Sequence, residues 1–113
     1  MKIVFWGTPE FAVPSLNALI EYGHKVIGVV TQPDRRRGRG NKLNYSPIKQ
    51  AAIKAKIPIF TPNNINKEKD IQQQILDLDA DIYIVVAYGQ ILPLNVIERP
   101  PYGCWNSHGS LLP

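Results

Sequence analysis

The chain has a single cysteine, Cys104, so no internal disulfide can close. Its fold must rest on packing, and a reducing, cytoplasmic setting is expected. No apolar run approaches the roughly 18–20 residues of a membrane span. Met1-Lys2 leads straight into a short strand-like run, without the apolar core and small-residue cleavage site of a secretion signal. No membrane partner is expected. A dinucleotide fingerprint is missing as well. Gly7-Thr8-Pro9 offers one glycine where G-x-G-x-x-G needs three, and Pro9 lacks a backbone donor for a phosphate. No nucleotide cofactor is expected. Acids are scarce where bases are dense: from His24 to Lys56 there are nine Lys or Arg and one acid, Asp34. The whole-chain charge of +4 conceals this basic segment, which suits an anionic partner.

What is present suits one α/β domain. At 113 residues and 44% hydrophobic, the chain can bury a real core. Lys2 to Trp6 reads as a buried strand closed by Gly7. Thr8 is a candidate N-cap, Pro9 a first helical residue and Glu10 a complement to the helix dipole. Phe11, Val13, Leu16, Leu19 and Ile20 give an inner face to about Tyr22, with Pro14 either tolerated near the start or delaying it, and Gly23 as the stop. Lys25 to Thr31 is a second strand. Ser46-Pro47 opens a helix to about Lys56, with Ile48, Ala51, Ala52 and Ala55 on one side. Ile57 to Phe60 is a short strand that Pro58 assigns to a sheet edge. A helix from about Lys67 to Leu78 turns Ile71, Ile75, Leu76 and Leu78 inward. Asp79 and Asp81 precede the next strand, Ile82 to Val86, on the side where sites in parallel sheets do not lie, and are read as solvated turn residues. Pro93 begins a short helix to about Arg99, and Cys104 to Ser107 is the last strand. The alternation implies a doubly wound, mostly parallel sheet with helices on both faces.

Two stretches are left over. Gln32 to Tyr45 (QPDRRRGRGNKLNY) has glycines and charge that argue against helix or strand. It reads either as a solvated loop without a partner or as a phosphate-backbone contact that folds on binding. Its arginines favour bidentate phosphate recognition, and its lack of interleaved aromatics argues against base stacking. The other stretch is Cys104 to Pro113. Asn106 and His108 are two apart, so an extended backbone turns both to one side. An amide donor beside an imidazole suits a carbonyl gaining negative charge. By itself the pattern also fits a histidine satisfied by local hydrogen bonds at a strand end. Cys104 reads as a small core residue.

Five segments carry a resemblance: FWGTPEFAVPSL (Phe5 to Leu16), VTQPDRRRGRGNKL (Val30 to Leu43), SPIK (Ser46 to Lys49), VVAYGQILP (Val85 to Pro93) and NSHGSLLP (Asn106 to Pro113). In these the chain resembles the N-terminal part of the methionyl-tRNA formyltransferase family, nearly end to end. The resemblance implies a Rossmann-like formyltransferase fold, incomplete at the C-terminus, with residues 1–113 forming the N-terminal part of a catalytic domain. It implies 10-formyltetrahydrofolate as formyl donor, initiator methionyl-tRNA as acceptor, no metal and no stable protein partner. Asn106 and His108 would be catalytic, the first donating to the developing oxyanion and the second supporting the same charge and shuttling a proton. Ser110, Leu111, Leu112 and Pro113, with Tyr88, Gly89, Gln90, Ile91 and Leu92, would bind the folate, the second group mainly through its backbone. Arg36, Arg37, Arg39 and Lys42 would contact the tRNA acceptor end.

The family's catalytic aspartate lies beyond the position of Pro113. On that ground residues 1–113 alone are expected to be nearly inactive, with an exposed sheet edge prone to association. Related folate-dependent formyltransferases acting on a sugar nucleotide or another small amine share the fold and the Asn-x-His element. An RNA-binding module whose basic loop is the working part is a further reading.

Overall fold

The computed structural model describes residues 1–8, 12–33, 35–36, 43–44 and 46–107. The expectations for Pro9, Glu10, Phe11, Arg37, Arg39, Lys42, His108 and Ser110 to Pro113 fall outside these residues, as do those for the side chain of Arg36. Five strands form a parallel sheet: β1 (Lys2–Gly7), β2 (Lys25–Val30), β5 (Ile59–Phe60), β6 (Ile82–Val86) and β7 (Cys104–Ser107). Their order is β5-β2-β1-β6-β7. The chain starts in the middle, steps outward to β5 and returns to the other side of β1. Its topological switch point therefore lies between β1 and β6, where open parallel sheets place their crevice, beyond the carboxyl ends of the strands.

Alternation along the strands divides the core. Val4, Trp6, Val30, Tyr83 and Val85 face one side, where Ile75 of α3 (Lys69–Asp77) and Val96 of α4 (Leu94–Ile97) cover them. Phe5, Val29 and Val86 face the other, under Leu16 of α1 (Val13–Glu21) and Ile48 and Ala52 of α2 (Pro47–Lys54). Helices thus cover both faces, as the doubly wound reading requires. Cys104 packs against the first cluster, and burial raises its thiol pKa.

Several local expectations need correction. Thr8 does not cap α1: the cap position is Ala12, without a side-chain bond, and Pro14 sits in the first turn, where its missing N–H is not needed. Pro14 therefore delays the helix. Ser46 does cap α2, its Oγ accepting from the Lys49 N–H at 3.3 Å, but α2 stops at Lys54 and Ala55 is exposed. The basic stretch is not wholly irregular, because β3 (Arg35–Arg36) and β4 (Leu43–Asn44) pair antiparallel. Asp81 is not a free turn residue. Its carboxylate accepts from the Lys2 N–H at 2.6 Å, its own N–H donates to the Lys2 carbonyl at 2.8 Å, and its carbonyl accepts from Tyr102 at 2.9 Å. It joins the amino ends of β1 and β6. Asp79 meets Arg99 at 3.4 Å in an exposed pair.

Candidate active site at the switch point

The site begins with a close approach. Gly7 ends β1 opposite Val86, the last residue of β6, and a Cβ on Gly7 would stand 2.6 Å from the Val86 carbonyl oxygen. Only glycine lets the two strand ends come together here. The chain then leaves β6 through Ala87 at φ 51°, a left-handed conformation that is costly for a residue with a Cβ, and through Gly89 at φ 93°. Such strain persists where surrounding contacts hold the backbone.

Those contacts come from distant parts of the chain. The Thr8 hydroxyl reaches over the switch point to the Tyr88 carbonyl at 3.2 Å. The Gln32 amide, at the carboxyl end of β2, donates to the same carbonyl at 2.8 Å. Asn66 donates to the Ile91 carbonyl at 2.8 Å. Beneath them the Tyr88 ring is buried and meets Trp6 edge-on, with centroids 5.3 Å apart, while Trp6 also packs on Tyr83. Burial pushes the Tyr88 hydroxyl pKa upward, with Glu68 adding to the shift. The hydroxyls of Tyr83 and Tyr88 and the Trp6 indole nitrogen are buried without a hydrogen-bond partner among the described residues.

The expected folate-binding loop therefore divides into distinct roles. Leu92 and the Tyr88 side chain belong to the core, and the Gln90 side chain is turned into hydrogen bonds beneath the loop. Ile91 is 85% exposed. Among the described residues, the N–H groups of Gly89, Gln90 and Ile91 and the C=O groups of Gly89 and Gln90 have no partner. The loop thus offers unpartnered backbone groups together with the exposed Ile91 side chain. Beside it Asn63, Asn64, Asn66, Gly89, Gln90 and Ile91 line an open cleft of ≈ 350 Å³. Larger hollows exist on the helical surfaces, one lined by Asn17, Ile20 and Lys54 among others, but none of the residues lining that one lies at the carboxyl ends of the strands.

Asn106 lies on the strand next to β6, outside the residues that line this cleft. It pairs in register with Val85 on β6, and by alternation shares the sheet face of Cys104 and Tyr83. It is exposed near the carboxyl end of β7, one strand from the Tyr88 loop. Among the described residues no group of three or more His, Cys, Asp or Glu is placed to hold a metal ion, and no helix is long and apolar enough to cross a membrane. Sequence reasoning missed Thr8 and Gln32 as members of the site. Thr8 directly follows β1 and Gln32 comes two residues after β2, on the side where parallel sheets bind ligands, and that position is the signal that marks them.

A family model described as formyl transferase matches residues 1–113. The chain is 63% identical to a methionyl-tRNA formyltransferase of Prochlorococcus marinus (strain MIT 9211), over 100% of this chain and 33% of that protein. It is 59% identical to the methionyl-tRNA formyltransferase of Synechococcus sp. (strain WH7803), again over 100% of this chain and 33% of the relative. It is 54% identical to that of Synechococcus sp. (strain RCC307), over 100% of this chain and 35% of the relative. The chain thus spans about a third of the length of these curated relatives.

Proposed function

The chain belongs to the formyl transferase family, and from that premise we propose that it forms the donor-binding and catalytic part of an enzyme that formylates the α-amine of methionyl-initiator tRNA. The formyl donor in this proposal is 10-formyltetrahydrofolate. The observation that carries the reading is the switch-point loop. Its strained backbone presents unpartnered N–H and C=O groups one strand away from the exposed amide of Asn106. Adjacent peptide donors and acceptors match the edge of a pterin ring. An amide nearby matches the transferred carbonyl.

The chemistry balances with these parts. The acceptor amine attacks the formyl carbon, and the carbonyl oxygen takes up negative charge. Asn106 donates a hydrogen bond to that oxygen, and His108 supports the same charge. Collapse of the tetrahedral intermediate breaks the bond to N10 of the donor. The proton lost by the amine passes to that nitrogen, with His108 as shuttle, since an imidazole titrates near neutrality. Ser110 to Pro113 and Tyr88 to Leu92 hold the folate. Arg36, Arg37, Arg39 and Lys42 hold the acceptor end of the tRNA through its phosphates. A cytoplasmic location belongs to the same proposal.

The test is formylation of methionyl-tRNA by the full-length protein. Asn106→Ala should lower kcat by about 10²–10³, the cost of removing one oxyanion donor. Neutralising Arg36, Arg37, Arg39 and Lys42 together should raise the KM for tRNA and leave donor affinity unchanged. An Asn106→Ala enzyme with full activity, or tRNA kinetics indifferent to the four charges, contradicts the proposal.

A further inference from the structure

Two glutamines, 58 residues apart in sequence, stand amide to amide beneath the loop. The Ile65 N–H donates to Gln90 Oε1 at 2.8 Å. Gln90 Nε2 donates to Gln32 Oε1 at 3.0 Å. Gln32 Nε2 donates to the Tyr88 carbonyl at 2.8 Å. Gln90 Nε2 also faces the carbonyls of Pro62 at 3.3 Å and Asn63 at 3.2 Å.

The direction of this relay is forced. A backbone N–H can only donate, so Gln90 must turn its oxygen to Ile65 and its nitrogen to Gln32. Gln32 must then accept with its oxygen, which leaves its nitrogen for Tyr88. Ile65 in turn is fully buried, and its carbonyl is held by the amide of buried Gln72. The origin of the relay is therefore anchored in the core. Its far end sets one peptide of the strained loop, and Asn66, one residue after Ile65, sets the Ile91 carbonyl. With both ends fixed, the peptides between Tyr88 and Ile91 have little freedom. Gly89 leaves room for this arrangement, because a Cβ there would come 2.9 Å from Gln32 Nε2.

We propose that Gln32 and Gln90 are positioning residues. Their amide relay selects which N–H and C=O groups of the Tyr88 to Ile91 segment face a ligand with a planar, hydrogen-bonding ring edge. The proposal rests on the reading of this loop as the formyl-donor site. Neither side chain touches the ligand: both act through the backbone they hold. A carboxylate at position 90 keeps the bond from Ile65 but opposes Gln32 Oε1, so the conservative change Gln90→Glu breaks the relay.

The experiment uses the full-length protein with Gln32→Met, Gln90→Met, Gln90→Glu and the double Gln32→Met/Gln90→Met variant. Methionine keeps the length of the side chain and removes the amide. Affinity for 5-formyltetrahydrofolate, a stable folate with the same pterin, is measured by calorimetry, KM for each substrate by formylation kinetics, and folding by thermal melting. Each single variant should bind the folate roughly tenfold more weakly, the effect of losing about one well-oriented hydrogen bond's contribution. The double variant should be no worse than the weaker single, because both changes break one relay. KM for tRNA should stay within about twofold, which general loosening of the fold would not allow. Should one methionine variant fail to fold, Gln90→Glu, which retains the Ile65 bond, reads the same link. Wild-type protein that binds folate while every folded variant binds it equally well overturns the positioning role alone. So do effects of the two single changes that simply add. Wild-type protein that binds no folate overturns this proposal together with the function on which it rests.

Discussion

The carbonyl oxygen of Val86 lies 2.6 Å from the place a Cβ on Gly7 would occupy. That distance is too short for any side chain, and it falls where β1 and β6 part. Gly7→Ala should force the two strand ends apart, costing about 1–3 kcal/mol as overpacking of a tight site. Chemical denaturation checks the stability. Amide shifts at Thr8 and Tyr88 should move with it, because the Thr8 hydroxyl bridges the same gap. An alanine variant with wild-type stability and unmoved shifts would show that the approach is looser than described.

At the opposite end of the same strands, Asp81 ties β1 to β6 through a 2.6 Å bond from Lys2. Asp81→Ala removes a charge-assisted, partly buried hydrogen bond, and should cost roughly 1–2 kcal/mol. Hydrogen exchange at Lys2 should quicken more than at Trp6 in the strand interior. Uniform loss across the sheet would argue that Asp81 matters for something other than this end of β1.

Burial pushes the Tyr83 hydroxyl pKa from the usual 10.0 to about 12, with Arg99 opposing the shift and Cys104 adding to it. Above pH 10 the unfolded chain releases this proton while the folded chain keeps it, so the unfolded state gains. The stability linked to Tyr83 is therefore complete below pH 10 and lost progressively as pH rises to about 12. Tyr83→Phe should flatten that part of the pH dependence in urea unfolding. At pH 8 it should be neutral or stabilising by up to about 1 kcal/mol, because it removes a buried hydroxyl that has no partner. A steeper alkaline fall in the variant would contradict this.

Ser46 accepts from the Lys49 N–H at 3.3 Å at the start of α2. Ser46→Ala should cost about 0.5–1 kcal/mol, and Ser46→Asp should restore most of it. Thermal melting of the two variants checks both values.

Much of the fold was legible because it is written in short-range chemistry. The apolar runs of β1 and β6, Gly23 after α1, and Ser46-Pro47 before α2 each declare themselves within a few residues. The resemblance over Val85 to Pro93 assigns the Tyr88 to Leu92 loop to the donor, and the loop follows β6 on the side where parallel sheets bind ligands. Thr8, Gln32 and Gln72 could not be read in the same way. Their partners lie 80, 56 and 7 residues away, and a threonine after a strand or a glutamine in a helix looks like a cap or a solvated surface until the fold brings the carbonyl to it. Asp81 was misread for the same reason, since its partner is 79 residues distant. The β3–β4 ladder is two residues long on each strand, too short to show any periodicity within a glycine- and arginine-rich stretch.

The central claim is that the cleft beside the Gly89 to Ile91 loop receives the folate, and amide chemical-shift mapping tests it most directly. On titration with 5-formyltetrahydrofolate, shifts should concentrate at Thr8, at Gly89 to Ile91 and at Asn106, and spare the α1–α2 hollow around Asn17, Ile20 and Lys54. Shifts centred on that hollow, with Gly89 to Ile91 unmoved at saturation, would contradict the account.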